Sequence, residues 1–218
     1  MTRTPSPAEP DRFWEARYRN SGRVWSGRPN ELLVREAAGL TPGRALDLGC
    51  GEGGDAVWLA ARGWRVTAAD ISATALARGA DHAAEAGVGD RISFERHELG
   101  RSFPEGSFDL VSAQYLQSPV ALDQRGVLRS AAGAVAEGGT LLVVMHAAWP
   151  SWQAEPPFDA EFPTLDGVLA ELALPEDGWS VVTREAVRRP STSPDGVAGH
   201  RDDNVWRLRR HGNRPKGS

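Results

Sequence analysis

Short apolar runs alternate with amphipathic stretches along most of this chain, and the spacing predicts a strand-helix repeat. Arg44-Ala45-Leu46-Asp47-Leu48 is a short apolar strand followed by a glycine turn, and Ala56 to Arg62 is a helix closed by Gly63. Arg65 to Asp70 is the second strand, and Ser72 caps a helix through Ala73 to Ala86 that ends at Gly87. Ile92 to Arg96 and Phe108 to Ala113 are the third and fourth strands. Gly126 to Ala136 is a helix, and the turn Glu137-Gly138-Gly139 leads into a fifth strand, Thr140 to Met145. Strands that alternate with helices imply a parallel sheet with helices on both faces.

The pattern differs at the two ends. Phe13, Trp14, Arg17 and Tyr18 have helical spacing within Asp11 to Asn20, and Asn30 reads as the cap of a second helix, Glu31 to Gly39. After Met145, His146 to Pro163 is rich in aromatics and proline, Thr164 to Leu174 is helical, and strand-like runs follow at Trp179 to Val187 and Asn204 to Arg209. The polar interval between those runs, Arg188 to Asp203, reads as a loop. It offers no apolar crossover, so the two late strands should pair antiparallel. The expectation is an α/β fold with a seven-stranded, mostly parallel sheet and a late antiparallel strand. Residues 1–10 and 211–218 read as disordered ends, and 11–210 as one domain with an N-terminal helical cap (11–40) and a substrate-side insert (146–175).

Composition narrows the partners. A chain of 218 residues fits one domain, and a formal net charge of -4 gives no basic surplus for nucleic acid or an anionic membrane. The single cysteine, Cys50, excludes an internal disulfide and a cysteine-based zinc site. The amino terminus lacks a signal-like apolar core and no run is long enough to span a bilayer. These readings predict a cytoplasmic protein, a monomer or homodimer, acting on a small molecule without a metal.

The informative segment is Asp47-Leu48-Gly49-Cys50-Gly51-Glu52-Gly53-Gly54, where a strand passes into a helix. That corner is the ligand edge of open α/β sheets. Gly49, Gly51 and Gly54 satisfy the dinucleotide spacing G-x-G-x-x-G, which keeps an NAD(P)-dependent oxidoreductase open. Charge points elsewhere: Asp47 and Glu52, with Asp55 just inside the helix, would crowd a pyrophosphate and suit a cation. Asp70, closing the next strand, is placed to accept both hydroxyls of a ribose.

Leu46 to Gly53 resembles the first motif of class I (Rossmann-like) S-adenosylmethionine-dependent methyltransferases, and Asp70-Ile71-Ser72 resembles their second. Glu95-Arg96-His97-Glu98-Leu99 is similar to the third-strand segment that reaches the adenine, with Glu98 where aspartate is commoner. Ser107 to Val111 resembles the fourth strand, Gln114-Tyr115-Leu116 stands where the family lines the methionine moiety, and Gly138-Gly139 with Thr140 to Val143 resembles its fifth-strand start. Trp14 to Tyr18 and Trp25 to Asn30 are similar to the cofactor-covering segment of the thiopurine and tellurite-resistance branch. The resemblance implies binding of S-adenosylmethionine, with S-adenosylhomocysteine as product, by Trp25, Arg28, Asp47, Gly49, Cys50, Gly51, Asp70, Ile71, Glu98, Leu99 and Gln114, and methyl transfer to a small-molecule acceptor.

Several roles stay open at this level. Trp25 and Arg28 either close over the methionine end, with Arg28 pairing its carboxylate, or pack on the sheet and face solvent, respectively. Cys50 reads as a small filler, because nothing cationic beside it would lower its pKa. His146, just past the fifth strand, is the candidate catalytic base, and its rival role is a hydrogen bond to a loop carbonyl. Trp149, Trp152, Phe158 and Phe162 are candidates for a lid over the acceptor. A non-catalytic S-adenosylmethionine-binding module is a further alternative.

Overall fold

The computed structural model describes residues 9–153, 155 and 161–212. The expectations for residues 1–8, Phe158 and 213–218 lie outside them. Two helices, α1 (Glu9–Arg19) and α2 (Glu31–Ala37), precede the sheet. The repeat then runs β1 (Arg44–Leu48), α3 (Gly54–Ala61), β2 (Arg65–Asp70), α4 (Ala73–Glu85), β3 (Ile92–Arg96), β4 (Phe108–Gln114), α5 (Gln124–Gly133) and β5 (Val135–His146). The chain ends with α6 (Leu165–Leu172), β6 (Trp179–Thr192) and β7 (Ala198–Arg210).

The seven strands form one sheet in the order β3-β2-β1-β4-β5-β7-β6. Pairs from β3 through β5 are parallel, and β7 is antiparallel to both β5 and β6. The order reverses between β1 and β4, which opens a crevice at their carboxyl ends. Period-two alternation builds both faces: Leu46, Leu48, Leu141, Val143 and Met145 enter one core, while Ala45, Leu142, Val144 and Val205 enter the other. Helices α5 and α6 lie with the first core, and α2 and α3 with the second.

Four differences from the expected elements have physical causes. Helix α1 begins at Glu9, two residues before the expected boundary. Helix α5 stops at Gly133 because Val135 already pairs with Phe108, so the expected turn at 137–139 lies inside β5, with Gly138 at φ 74°. Asn30 has an N-cap backbone, yet its side chain makes no cap bond; its amide is used on Asp55 instead. The largest difference is the late hairpin. The supposed loop from Arg188 to Asp203 is mostly ladder: Arg188 pairs with Asp202 and Thr192 with Ala198 around a tight turn at Ser193 to Val197. A two-stranded extension needs no apolar face when backbone bonds and cross-strand ion pairs such as Arg188–Asp202, at 2.8 Å, hold it.

Trp206 on β7 is fully buried and donates its indole N–H to the carbonyl of Leu165 at 3.0 Å, tying the late hairpin to α6. Trp206→Ala should cost about 3–5 kcal/mol in guanidinium unfolding followed by circular dichroism. A loss below about 1 kcal/mol would show that the hairpin contributes little to the core.

Candidate active site

The carboxyl ends of β1, β2, β4 and β5 converge on a cavity of about 1000 Å³. All twelve candidate residues line it: Trp25, Arg28, Asp47, Gly49, Cys50, Gly51, Asp70, Ile71, Glu98, Leu99, Gln114 and His146. The loop after β1 is pinned to the next strand, since the N–H groups of Gly49 and Cys50 donate to the carbonyl of Ala69 at 2.8 and 3.0 Å. Gly51 N–H donates to one oxygen of Asp70 and Ser72 N–H to the other, each at 2.9 Å. The loop demands glycine at Gly49, where φ is +69° and a β-carbon would sit 2.6 Å from Leu116 Cδ1.

Asp47 is buried, and its Oδ2 has no hydrogen-bond partner. Oε1 of Gln114, on the neighbouring strand, is also buried and unpartnered, while its Nε2 donates to Ser112 Oγ at 3.0 Å. Two acceptors without donors at one cavity wall are costly unless a ligand brings N–H groups. Burial, with the nearby carboxylates of Asp55 and Asp70, pushes Asp47 well above the usual carboxylate range. Burial raises Asp70 as well, against the hydrogen bonds from Ser72 and Gly51.

Comparison with known proteins finds relatives of this arrangement. Residues 45–139 match a family described as a methyltransferase domain. The chain is 35% identical over 172 residues to 27-O-demethylrifamycin SV methyltransferase of Amycolatopsis mediterranei, covering 75% of this chain and 61% of that protein. A solved structure concerned with conversion of a disulfide bond into a thioacetal group during echinomycin biosynthesis superposes with a TM-score of 0.71 at 25% identity, covering 94% of each chain. TehB from Haemophilus influenzae superposes at 0.65 with 18% identity, covering 91% of this chain and 67% of that one. Over residues 45–139, then, the chain is similar to methyltransferase domains. Its fold is related to the TehB branch. It spans between 22 and 65% of the length of the curated relatives it matches.

The N-terminal segment is stitched across the cavity by carboxylates. Glu52 was expected to add negative charge at the cofactor loop, and it instead accepts from the N–H groups of Val24 and Trp25, at 3.1 and 3.0 Å, and from Arg78 at 2.9 Å. Burial alone would raise its pKa, but the bonds from Trp25 and Arg78 hold it below the ordinary value. Asp55 takes both the N–H and the side-chain amide of Asn30, at 2.7 and 2.6 Å. Arg78 also donates to the carbonyls of Tyr18 and Ser21. Trp25 does not pack on the sheet: it stands 49% exposed at the cavity edge, beside Gly51, and its indole N–H donates to Tyr18 Oη at 2.9 Å. Arg28 is exposed on the rim.

Beyond the end of β3, Glu98 pairs with Arg101 at 3.1 Å. The thiol of Cys50 is pushed up by burial and by Asp70 and Asp47, which fits a filler. His146 does not use its ring on a loop carbonyl. Nδ1 lies 2.8 Å from Oδ1 of Asp203, a fully buried carboxylate that Arg189 and Tyr115 also hold. Asp203 and Arg189 lay in the supposed loop and escaped the sequence reading. The legible signal was opposite charge at equal distance from the Ser193 to Val197 turn, as in Arg188 and Asp202. Of the proposed aromatic lid, Trp149 packs edge-on against Phe162, and Trp152 lies under Arg201, which lines the cavity. Among the described residues no cluster suits a metal ion.

Helix α1 is held at the amino end of α4 by Glu15, which accepts from Ser72 Oγ at 2.7 Å and from Thr74 Oγ1 at 2.6 Å. Those two bonds bring its pKa from 4.5 down to about 2. A lowered folded-state value means the stabilisation is complete above the ordinary value and is lost as pH falls from 4.5 through about 2. Amide protection of residues 12–19, taken relative to the intrinsic exchange rate at each pH, should therefore fall across that window in the native protein. In Glu15→Gln it should already be low at neutral pH and nearly flat.

Proposed function

We propose that this protein is an enzyme that transfers a methyl group from S-adenosylmethionine to a small-molecule acceptor. The observation that carries the reading is the unpartnered Oδ2 of Asp47 beside the unpartnered Oε1 of Gln114 at the mouth of β1 and β4. An α-ammonium supplies the donors these atoms lack, and the raised pKa of Asp47 is what a site kept for a cation looks like without one. The donor brings a methyl group made electrophilic by a sulfonium.

The chain's own residues then divide the work. Asp47 and Gln114 take the methionine ammonium, and the main chain at Gly49, Cys50 and Gly51 approaches the ligand closely. Asp70 takes the ribose hydroxyls with the lone pairs left after its bonds to Gly51 and Ser72. Ile71 and Leu99 flank the adenine, whose amine Glu98 receives. Trp25 and Arg28 close the methionine end, Arg28 over its carboxylate. Alignment of the acceptor is the larger part of the catalysis such a site performs. An NAD(P) reading is disfavoured because Asp47, Asp55 and Asp70 line the cavity where a pyrophosphate would lie.

We place the catalytic unit in residues 11–210, with 11–40 as cap and 146–175 on the acceptor side. Among the described residues no helix is long and apolar enough to cross a membrane. A cytoplasmic monomer or homodimer without nucleic-acid partners agrees with the acidic balance and the single thiol.

Calorimetric titration should show S-adenosylhomocysteine binding and NADH failing to bind; the opposite result would end this reading. Asp70→Ala should weaken the former by about 1.5–3 kcal/mol. Because the ammonium stabilises the charged form of Asp47, binding should release a proton and tighten as pH rises through that group's raised value. Titrations in two buffers of different ionisation enthalpy measure this. Asp47→Asn should lose about ten- to a hundredfold in affinity while raising the melting temperature of the unliganded protein. The sign follows from the raised value: ionising Asp47 in the fold costs stability as pH climbs above 3.8.

A further inference from the structure

We infer that His146 and Asp203 form the proton-accepting pair of the acceptor site, and that the acceptor therefore presents a weakly acidic hydroxyl, of the phenol or enol class. The inference rests on the methyl-transfer reading above and names its substrate class.

His146 and Asp203 face each other in the β5–β7 ladder. The bonds on Asp203 are unevenly divided. Arg189 donates to Oδ2 through Nε at 2.7 Å and forms an ion pair with it through Nη2 at 2.6 Å, and Tyr115 Oη donates to the same oxygen at 3.1 Å. Oδ1 is left to the histidine. A carboxylate needed only to balance Arg189 would not require a ring on its other oxygen. Because a carboxylate accepts, Nδ1 of His146 carries the proton, and the unprotonated nitrogen is Nε2. Nε2 has no partner among the described residues, and the ring lines the cavity shared by Asp47 and Gln114.

The ring is also fixed in orientation. It stacks on Tyr115 with centroids 4.4 Å apart at 30°, and the backbone N–H of His146 donates to Gln117 Oε1 at 2.7 Å. Tyr115 itself stands at φ +52°, a left-handed conformation that a bulky residue adopts only when its surroundings impose it. Arg189 Nη2 donates to Tyr115 Oη at 2.8 Å, closing the network. The charged and titratable groups around the ring are thus Asp203, Arg189 and Tyr115, with Arg201 on the cavity wall and Glu31 3.5 Å from Arg189. Arg189 and Asp203 offset one another in charge, and Oδ1 of Asp203 stabilises the imidazolium that forms on proton transfer.

A placed base matters for a nucleophile that must lose a proton to react. Thiols ionise readily near neutral pH, and a free amine attacks through its lone pair; a hydroxyl is the group that gains. The hydroxyl proton moves to Nε2 of His146 as an oxygen electron pair bonds to the methyl carbon, the carbon–sulfur pair stays on sulfur, and the imidazolium later returns its proton to water. His146 is the catalytic residue; Asp203, Arg189 and Tyr115 are positioning residues.

The test uses the full chain and three probes of falling acidity: 4-nitrophenol, 4-cyanophenol and phenol. His146→Gln should keep the melting temperature and the affinity for S-adenosylhomocysteine. It should lose about 10²–10⁴-fold in turnover of phenol and much less of 4-nitrophenol, which ionises by itself. The acid limb of the pH profile for phenol should vanish with it. Nitrogen-15 spectra of labelled histidine should show His146 as the Nδ1–H tautomer in the native protein and a mixture in Asp203→Asn; the native spectrum stands even where that variant does not fold. Equal losses on all three phenols, an Nε2–H tautomer in the native protein, or a protein that binds S-adenosylhomocysteine and methylates none of the probes would each overturn the inference. Failure to bind S-adenosylhomocysteine would instead remove the reading beneath it.

Discussion

A carboxylate sealed at the end of the central strand without a donor is the constraint around which this molecule is arranged. Asp47 stands next to last in β1, the strand at which the sheet order reverses, and lines the crevice that the topology opens. Burial and two neighbouring carboxylates oppose its ionisation. By itself such a group is unfavourable, and the ammonium proposed to bind there would supply the donor it lacks. The glycines that follow and the pinning of the loop to Ala69 and Asp70 hold the cavity open against that unfavourable charge.

The remaining acids at the same corner serve the covering segment. Glu52, Asp55 and Glu15 each accept from backbone or side-chain donors of the first 74 residues, and together they fasten residues 9–30 across the cavity mouth. Their carboxylates are satisfied and Asp47 is not. That contrast, which depends on which donors arrive, separates the anchoring acids Glu52 and Asp55 from the unpartnered Asp47 within residues 47–55.

The acceptor side is built differently, from the far end of the chain. The β6–β7 hairpin carries Arg189 and Asp203 to the carboxyl end of β5, where His146 emerges. It extends the sheet with polar, ion-paired strands, so no apolar alternation in Arg188 to Asp203 marked it as ordered. The hydrophobic period identifies strands through the face they bury, and this ladder buries little.

Read from residues alone, the strand-helix repeat, the antiparallel finish, the glycine corner and the pairing of Asp47 with Asp70 at adjacent strand ends were all legible, because each is a local pattern of period, turn chemistry and spacing. Ten of the twelve candidate residues share one cavity because strand ends of a parallel sheet meet at one edge, and Trp25 and Arg28 reach it on the segment stitched across its mouth. What Glu52, Asn30 and His146 do was decided only by the tertiary structure. Each carries a polar side chain with several possible partners, and the partner is chosen by groups 25 to 57 residues away that share the site only once the sheet has formed. A hydrogen bond is short and directional, so its identity belongs to the assembled fold, whereas the apolar period that builds the fold is written along the chain.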